Sequence, residues 1–213
     1  MPVWGIVVAA GSGTRFGAPK QFLTLNGTRL VDRAVATAVT VCDAVVVVLP
    51  HGEEWTGPPV AAAVTGGATR SESVRAGLAS VATDADVIVV HDAARPLASS
   101  ALFAAVIAAV RAGADAAVPG IPLSDTVKRV AGERVVTTVP RDDLVAVQTP
   151  QAFRAEILRS VHARGAEATD DAALVEQSGG VVVVVAGDPR NVKITGSTDL
   201  ALAIALATEV VHP

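Results

Sequence analysis

Short runs of valine and isoleucine alternate along this chain with longer amphipathic stretches, and this alternation constrains the fold more than any other feature. The apolar runs lie at residues 4–9, 44–49, 87–90, 116–118, 145–148 and 181–185. Between them, the spacing of apolar residues predicts helices at 30–41, 73–79, 99–112, 153–164, 170–177 and 197–208. Continuous apolar runs are typical of strands buried on both faces. We therefore predict an α/β fold in which a mostly parallel, twisted sheet carries helices on both faces.

One segment, from Gly120 to Asp143, breaks the alternation. Two polar runs, at 126–130 and 134–139, flank a glycine-containing turn and predict a projecting β-hairpin, the β-arm, at about 120–143. An isolated pair of strands is only marginally stable, so we expect the arm to pack against something, with a second subunit as the first candidate. No linker or shift in composition marks a boundary, and we predict a single domain over residues 1–213.

Composition excludes several classes of partner and cofactor. The formal net charge of −4 gives no general attraction for nucleic acid or an acidic membrane, and we expect neither as a partner. The longest apolar stretches, 101–110 and 181–186, are too short to span a bilayer. The lone Cys42 and the lack of a secretion-signal pattern predict a cytoplasmic protein. One cysteine and four scattered histidines argue against zinc, so any metal is expected to be oxygen-bound.

The first apolar run leads into a glycine-rich loop that ends at Lys20. Its glycines, at 11, 13 and 17, allow the backbone to approach a ligand and to point successive N–H groups at phosphate oxygens. Arg15 and Lys20 supply positive charge. The loop therefore predicts a cradle for a nucleoside triphosphate, and its alternative is a surface turn with two solvated cations.

Two better-known phosphate loops do not fit this segment. The dinucleotide fingerprint needs a glycine where Phe16 stands, and an acid after the second strand, which instead closes with Pro50 and His51. The P-loop needs Gly-Lys-Ser/Thr, whereas Lys20 follows Pro19. The first mismatch argues against a nicotinamide cofactor, and the second excludes the P-loop families.

Polar residues follow other predicted strands, at the sheet edge where ligands bind in such folds. Asp92 can accept a hydrogen bond from a ribose hydroxyl or coordinate Mg²⁺. Its structural alternative is a strand-end turn with Arg95. Lys193 lies in a predicted short strand between Val192 and Ile194, where an ammonium needs an anionic partner such as a phosphate.

A second glycine segment, from Gly66 to Ser73, precedes a predicted helix. Its glycines allow a base to lie against the backbone, and Ser73 can hydrogen-bond to a base edge. The structural alternative is a helix N-cap at Ser71 or Ser73. Thr169 and the two aspartates after it also form a good helix start.

Eight motifs, spread over essentially the whole chain, resemble those of the 2-C-methyl-D-erythritol 4-phosphate cytidylyltransferases. Each is weak alone, but eight in the same order are highly specific, and all three lysines fall inside them. They are Ala9-Ala10-Gly11-x-Gly13-x-Arg15 with Pro19-Lys20-Gln21, Gly66-Gly67-x-x-Arg70-x-x-Ser73-Val74, Val90-His91-Asp92-Ala93-Ala94-Arg95-Pro96, Asp125-Thr126-Val127-Lys128, Arg141, Gln148-Thr149-Pro150-Gln151, Thr169-Asp170-Asp171 and Asn191-Val192-Lys193-Ile194-Thr195.

The resemblance implies an enzyme with a Rossmann-like nucleotidyltransferase fold. Its expected reaction transfers a cytidylyl group from CTP to 2-C-methyl-D-erythritol 4-phosphate, releases pyrophosphate and serves the non-mevalonate route to isoprenoid precursors. A substrate phosphate is already a nucleophile, so cations should dominate the site. The resemblance also implies Mg²⁺ as the cofactor and a homodimer in which the β-arm reaches across to the partner.

The family pattern assigns a role to each matching residue. The catalytic cations are Arg15, Lys20 and Lys193. The nucleotide-binding residues are Ala9, Ala10, Gly11, Ser12, Gly13, Thr14, Gly67, Arg70, Ser73 and Asp92. The acceptor-binding residues are Asp92, Arg95, Thr126, Arg141, Thr149 and Thr169, and Asp92 is also the candidate metal ligand.

Two departures from the family pattern bear on the nucleotide site. Val8 stands where many members have proline, and Ala68 replaces an acid that often follows Gly67. Two other functions remain open at this point: a D-ribitol 5-phosphate cytidylyltransferase, and a non-catalytic nucleotide-binding protein. Retention of Arg15, Lys20 and Lys193 together argues against the second. We also expect no room for the cyclase domain of fused family members.

Overall fold

The structure is a computed structural model that describes residues 1–11 and 20–208. Its strands are β1 (Val3–Val8), β2 (Thr24–Leu25), β3 (Thr28–Arg29), β4 (Ala44–Leu49), β5 (Ala62–Thr65), β6 (Val87–Asp92), β7 (Ala116–Pro122), β8 (Val127–Ala131), β9 (Arg134–Val139), β10 (Val145–Val147), β11 (Gln151–Arg154) and β12 (Val182–Ala186). Its helices are α1 (Leu30–Val39), α2 (Arg70–Leu78), α3 (Ser100–Arg111), α4 (Ala155–Ala163), α5 (Asp171–Gln177) and α6 (Ser197–Thr208), with a short 3-10 helix at Lys20–Phe22.

Eight of the described strands form one mixed sheet with the order β10-β7-β11-β6-β1-β4-β5, and β12 pairs with β7. Strands β5, β4, β1 and β6 run parallel to one another, and β12 runs parallel to β7. Strand β11 lies between β6 and β7 and runs antiparallel to both. The α/β prediction with a mostly parallel sheet is therefore confirmed.

The core consists of two apolar layers, one on each face of the sheet. Successive residues of β1 point to opposite faces, so that Val7 belongs to one layer and Ile6 to the other. Helices α1 and α3 cover the first layer, where Phe103 is fully buried. Helices α2, α4 and α5 cover the second, around Phe153 and Leu158. Helices thus cover both faces, as the apolar runs predict.

Helix α2 begins earlier than the sequence pattern predicts. Thr69 is the N-cap, because its hydroxyl accepts from the Glu72 backbone N while the Glu72 carboxylate accepts from the Thr69 N. The structural alternative of an N-cap at Ser71 or Ser73 is therefore wrong. A capping box satisfies two free N–H groups at once, and Ser73 already lies one turn inside the helix.

The projecting hairpin is confirmed as the separate two-stranded sheet β8-β9, whose residues are mostly exposed. Strand β11 was not predicted, because its sequence Gln-Ala-Phe-Arg is neither a continuous apolar run nor separated from helix α4. In the described part of the chain, no helix has both the length and the apolar character that a membrane crossing requires.

Candidate active site

Two adjoining cavities lie at the sheet edge where β1 and β6 end. The first, here called the glycine-loop cavity, has a volume of about 500 Å³ and is lined by the end of β1, the start of α2, Lys20 and Lys193. The second, here called the Thr149 cavity, has a volume of about 190 Å³ and lies between the end of β6 and the Gln148–Gln151 segment. Both cavities are lined by Arg70, Asp92 and Lys193, which therefore form a shared wall.

The shared wall is a network of ion pairs centred on Asp92. Lys193 Nζ lies 2.7 Å from Asp92 Oδ2, and Arg70 Nε lies 3.3 Å from Asp92 Oδ1. Burial alone would raise the pKa of Asp92, but the charges of Arg70 and Lys193 outweigh it and hold that pKa well below its usual range. Asp92 is therefore ionised, and each of its carboxylate oxygens already forms an ion pair, one with Arg70 and the other with Lys193.

The strand-end turn proposed for Asp92 also forms, because the Arg95 N donates to the Asp92 carbonyl oxygen at 2.9 Å. The carboxylate, however, contacts Arg70 and Lys193 rather than Arg95. Lys193 lies in a loop and not in the short strand that the sequence predicts. Its expected anionic partner is, in this structure, a protein carboxylate.

Two residues that were given no site role continue the network into the protein interior. Asp171 is fully buried, and its Oδ2 accepts from Arg70 NH1 at 2.7 Å. His162, also buried, has its Nε2 2.9 Å from Asp171 Oδ1. Burial would lower the pKa of Arg70, but the two carboxylates around it raise that pKa above its ordinary value. A permanently charged guanidinium is therefore fixed between Asp171 and Asp92.

The Thr149 cavity has a second buried group behind it. Thr149 Oγ1 lies 3.2 Å from His91 Nδ1 and accepts from the Asp92 backbone N at 3.0 Å. The other ring nitrogen, His91 Nε2, lies 3.2 Å from the Arg95 carbonyl oxygen. Arg95 NH1 in turn donates to the Asn191 carbonyl oxygen at 2.8 Å. These contacts tie β6, the Thr149 segment and the loop before Lys193 together.

Lys20 also lines the glycine-loop cavity. Its Nζ donates to the Ile194 carbonyl oxygen at 2.9 Å, which brings it to the same loop as Lys193. Gln21 Nε2 donates to the Gly11 carbonyl oxygen at 3.1 Å, closing the two described ends of the glycine loop on each other. Two of the three predicted catalytic cations are thus brought to one cavity.

A carboxylate contacts the backbone at Ala68, one of the two positions that depart from the family pattern. The Ala68 N donates to Glu72 Oε2 at 2.6 Å, so that a carboxylate from the first turn of α2 already binds the loop backbone. Ser73 Oγ accepts from the Gly67 N at 3.2 Å and donates to the Thr69 carbonyl oxygen at 2.9 Å. Ser73 therefore supports the loop in this structure, and its contact with a base stays a prediction.

Most predicted site residues within the described ranges line one of the two cavities. Those at the glycine-loop cavity are Ala9, Ala10, Gly11, Lys20, Gly67, Arg70, Ser73, Asp92 and Lys193. Those at the Thr149 cavity are Arg70, Asp92, Arg95, Thr149, Thr169 and Lys193. Thr126 and Arg141 line neither cavity, and an Arg141 guanidinium nitrogen donates to the Ser124 carbonyl oxygen. Four predicted residues lie outside the described residues: Ser12, Gly13, Thr14 and Arg15.

A further cavity, of about 600 Å³, lies at the opposite edge of the sheet, beside the start of β6 at Val87. No predicted site residue lines it. Arg154 in its wall is paired with Asp115 and Glu156. Its position away from the glycine loop makes it a poor candidate for phosphate chemistry.

The described residues contain no group of three or more metal-binding side chains of the His, Cys, Asp or Glu type. Asp92 is the one carboxylate among the described residues that line the glycine-loop cavity. A hard cation such as Mg²⁺ needs about six oxygen ligands. The donors in view can therefore supply at most a minor share, and a triphosphate would have to supply much of the remainder.

Comparison with known proteins gives a consistent result. The family model of 2-C-methyl-D-erythritol 4-phosphate cytidylyltransferase, IspD, matches residues 3–209. The curated protein of that name from Rhodococcus jostii (strain RHA1) is 45% identical over 221 residues, covering 99% of this chain and 97% of the relative. The bifunctional enzyme IspD/IspF of Clavibacter michiganensis subsp. michiganensis is 48% identical over 216 residues, covering 93% of this chain. This chain spans 52% of that relative, about half its length.

The fold comparison agrees. The crystal structure of 2-C-methyl-D-erythritol 4-phosphate cytidylyltransferase from Thermus thermophilus superimposes with a TM-score of 0.85 at 38% sequence identity. The match covers 98% of this chain and all of the other. Sequence and structure therefore lead to the same group of proteins.

Proposed function

Because the chain belongs to the 2-C-methyl-D-erythritol 4-phosphate cytidylyltransferase family, we propose that it transfers a cytidylyl group from CTP to 2-C-methyl-D-erythritol 4-phosphate. The products are 4-diphosphocytidyl-2-C-methyl-D-erythritol and pyrophosphate, and the reaction belongs to the non-mevalonate route to isoprenoid precursors. The observation that carries the proposal is the pair of adjoining cavities with Arg70, Asp92 and Lys193 in their common wall. One cavity suits the nucleotide and the other a small phosphorylated polyol.

In the proposed reaction an oxygen of the acceptor phosphate attacks the α-phosphorus of CTP. The new phosphorus–oxygen bond forms as the bond from the α-phosphorus to the bridging oxygen breaks, and that oxygen leaves with pyrophosphate. The nucleophile is already an anion, so no strong base is needed. Positioning and neutralisation of charge then supply the catalysis, and Lys20 and Lys193 stand at one cavity to provide it. Arg15 is the third cation of this proposal.

The nucleotide-binding role rests on the backbone around Gly11, Gly67 and Ser73. Gly66 supports it, because a Cβ at this position would lie 2.4 Å from Ala10 Cβ and 2.7 Å from Ser73 Oγ. A residue without a side chain at position 66 therefore lets Ala10 and Ser73, which both line the glycine-loop cavity, keep their positions.

We propose that Mg²⁺ enters with the triphosphate. When bound, it would neutralise charge on the phosphate oxygens and orient them. Asp92 is the residue of this chain that would approach it, although both of its oxygens are engaged by Arg70 and Lys193. The main task of Asp92 in this proposal is to hold those two cations in the wall.

We further propose a homodimer formed through the β-arm. Exposed valines support it on both strands of the arm, where the side chains of Val130, Val135 and Val136 are all more than half exposed. An exposed apolar surface of this kind is typical of an interaction site. In this proposal Thr126 and Arg141 of the partner subunit complete the acceptor site, which accounts for their distance from the cavities of their own chain.

The cytoplasm is the proposed compartment. Its support is chemical: Cys42 is a buried free thiol, and disulfides are the feature that marks oxidising compartments. Cys42 is the one cysteine among these 213 residues, so no disulfide forms within them.

The experiment that tests the proposal is pyrophosphate release with Mg²⁺ and CTP, with Lys20→Ala as the blank. 2-C-methyl-D-erythritol 4-phosphate and D-ribitol 5-phosphate are compared as acceptors. Preference for the methylerythritol phosphate, lost in the variant, supports the proposal. Preference for D-ribitol 5-phosphate would change the acceptor substrate and keep the proposed reaction. CTP binding without pyrophosphate release in the presence of either acceptor would make the protein a nucleotide-binding module.

A further inference from the structure

His91 is a buried histidine to which neither the proposed chemistry nor the family pattern assigns a role. It lies in β6 beside Asp92, is 1% exposed, and packs against Phe103 with ring centroids 5.1 Å apart. Unlike an ordinary core residue, it has a hydrogen-bond partner at each ring nitrogen, Arg95 on one side and Thr149 on the other. Thr149 lines the Thr149 cavity, so His91 lies directly behind one wall of that cavity.

The two partners fix which ring nitrogen carries the proton. The group facing Nε2 is the carbonyl oxygen of Arg95, at 3.2 Å, and a carbonyl can only accept. Nε2 therefore carries the hydrogen. The ring is 1% exposed, and its two nitrogens face a carbonyl oxygen and a hydroxyl. A second proton would bury a charge with no carboxylate at either of these contacts, so the ring is neutral. A neutral ring has one N–H, which leaves Nδ1 as an acceptor.

The protonation of His91 in turn fixes the direction of the Thr149 hydroxyl. With Nδ1 as an acceptor, the 3.2 Å contact requires Thr149 Oγ1 to donate its single proton to the ring. The same oxygen accepts from the Asp92 backbone N at 3.0 Å. A hydroxyl has one proton and two lone pairs, so Thr149 has one lone pair left and no proton to give.

We propose that His91 is a positioning residue that makes Thr149 a pure hydrogen-bond acceptor, so that Thr149 binds an alcohol O–H of the acceptor substrate and not its phosphate. This inference rests on the proposed function. A phosphate ester near neutral pH offers mainly acceptor oxygens, which a hydroxyl without a free proton does not bind. An alcohol has a proton to donate.

Other residues around the Thr149 cavity are suited to the phosphate of the acceptor substrate, which leaves Thr149 for its hydroxyl groups. Cationic groups, Arg70, Arg95 and Lys193, line the cavity and suit the acceptor phosphate. Thr149 is 5% exposed, so a mismatched polar group pressed against it would lose its hydrogen bond to water without replacement. His91 thus separates recognition of the polyol hydroxyls from recognition of the phosphate, although it touches neither.

The protonation state of His91 can be measured without turnover. Long-range proton–nitrogen NMR of the ¹⁵N-labelled protein distinguishes the two neutral tautomers, and His91→Phe identifies the signal among the four histidines. We expect the Nε2–H tautomer. The Nδ1–H tautomer, or a ring that carries both protons, would overturn the proposal.

Kinetics test the effect on the acceptor. His91→Phe keeps ring size and the contact with Phe103 but removes both hydrogen bonds. We expect the KM for 2-C-methyl-D-erythritol 4-phosphate to rise about two- to tenfold, the value of one hydrogen bond, with kcat and the KM for CTP little changed. His91→Asn, which retains an acceptor toward Thr149, should recover part of the loss. Phe103→Leu, which alters packing but no hydrogen bond, is the matched control and should leave the acceptor KM unchanged.

A double-mutant cycle decides whether His91 acts through Thr149. In a Thr149→Val background, His91→Phe should change the acceptor KM less than about twofold. Monodeoxy analogues of the acceptor add a second readout: wild type should discriminate against one of them, and both single variants should lose that discrimination.

Additive effects of His91→Phe and Thr149→Val on the acceptor KM would contradict the proposal, as would a change confined to thermal stability. The failure of the proposed function looks different. Wild-type protein inactive with both polyol phosphates overturns that function and the acceptor role of His91 together, whereas active protein with additive variants overturns the role of His91 alone.

Discussion

The ammonium of Lys193 and the carboxylate of Asp92 meet at 2.7 Å in the wall between the two cavities, although they are 101 residues apart in the chain. The Lys193 side chain is 43% exposed and that of Asp92 only 11%. The lysine therefore faces the cavities, while its partner is the buried anchor. A phosphate that enters either cavity meets a cation already held in place, which is the condition for electrostatic preorganisation.

Replacing Lys193 tests whether this cation works on the reaction. Lys193→Ala should lower kcat for pyrophosphate release on the order of a hundredfold, because one preorganised charge is lost. Lys193→Arg keeps the charge and should retain more activity. Arg111→Ala, an exposed cation on α3, is the control with the same change in net charge. Equal activity in Lys193→Ala and Arg111→Ala would remove Lys193 from the catalytic set.

Asp92→Asn should weaken the dependence of the unfolding free energy on pH in the acid range. A carboxyl whose pKa is lowered on folding adds stability that is complete above its unfolded pKa of about 3.8. That stability is lost as the pH falls through the lower folded-state pKa. We expect the variant to be less stable than wild type by about 1–3 kcal/mol at about pH 6, with the gap narrowing below about pH 4.

Urea unfolding at a series of pH values measures this gap. Asp84→Asn, at an exposed position, is the matched control. A gap between wild type and Asp92→Asn that stayed constant down to about pH 2 would show that the carboxylate charge of Asp92 is not its source.

Gly66→Ala should damage the nucleotide side of the site. The added Cβ would lie 2.4 Å from Ala10 Cβ and 2.7 Å from Ser73 Oγ, so one of these elements must move. We expect a loss of about 1–3 kcal/mol in unfolding free energy and a higher KM for CTP. Gly196→Ala is the control for stability, since its Cβ would meet only Asp199 Oδ2, at 4.0 Å. Unchanged CTP binding in Gly66→Ala would argue against a close approach of the base to this backbone.

The β-arm provides a test of the proposed dimer. Val136 in β9 is 59% exposed, and Val136→Asp places a charge on the proposed interface. Analytical ultracentrifugation should show a shift toward monomer, and the acceptor KM should rise, because Thr126 and Arg141 of the partner subunit would be withdrawn. Leu202→Asp, at an exposed apolar site on α6, should leave the association state unchanged. A monomeric wild-type protein with full activity would contradict the dimer and its role in the site.

Cys42 should be inert while the protein is folded. Burial raises the pKa of its thiol to about 12, with a smaller contribution from Asp43, so thiolate is scarce at ordinary pH. A disulfide reagent at about pH 8 should react with Cys42 only after denaturant is added, as followed by absorbance. Rapid reaction of the native protein would mean that the layer of core around Cys42 opens far more often than its burial implies.

The sheet could be predicted from the sequence because its central strands are continuous apolar runs. Strands β4 and β6 are buried on both faces, and their valines leave few alternatives. Strand β11 could not be found in this way, since four residues of mixed polarity directly before a helix carry no distinctive period. The capping box at Thr69 could have been predicted from the sequence, because Glu72 follows Thr69 at the spacing that a capping box requires.

The site was predictable only where a single segment carries the signal. Asp92 and Lys193 were each marked by their position, but not as partners of each other. Nor did the sequence reveal that Asp171 and His162 support Arg70, because these contacts bring together distant parts of the chain. Thr149 was predicted as a contact, whereas the direction of its hydrogen bonds depends on His91 behind it. Pairing and polarity are properties of the packed chain.

The reversed direction of β11 has a bearing on how this protein can diverge. The glycine-loop cavity takes its lining from residues at and after the ends of parallel strands such as β1, whereas the Thr149 segment comes directly before β11. The Thr149 segment and the start of α2 therefore come from separate parts of the chain and meet only at the shared wall of Arg70, Asp92 and Lys193. Under the proposed function, substitutions confined to the Thr149 segment would change the choice of polyol phosphate while leaving the segments proposed to bind the nucleotide in place.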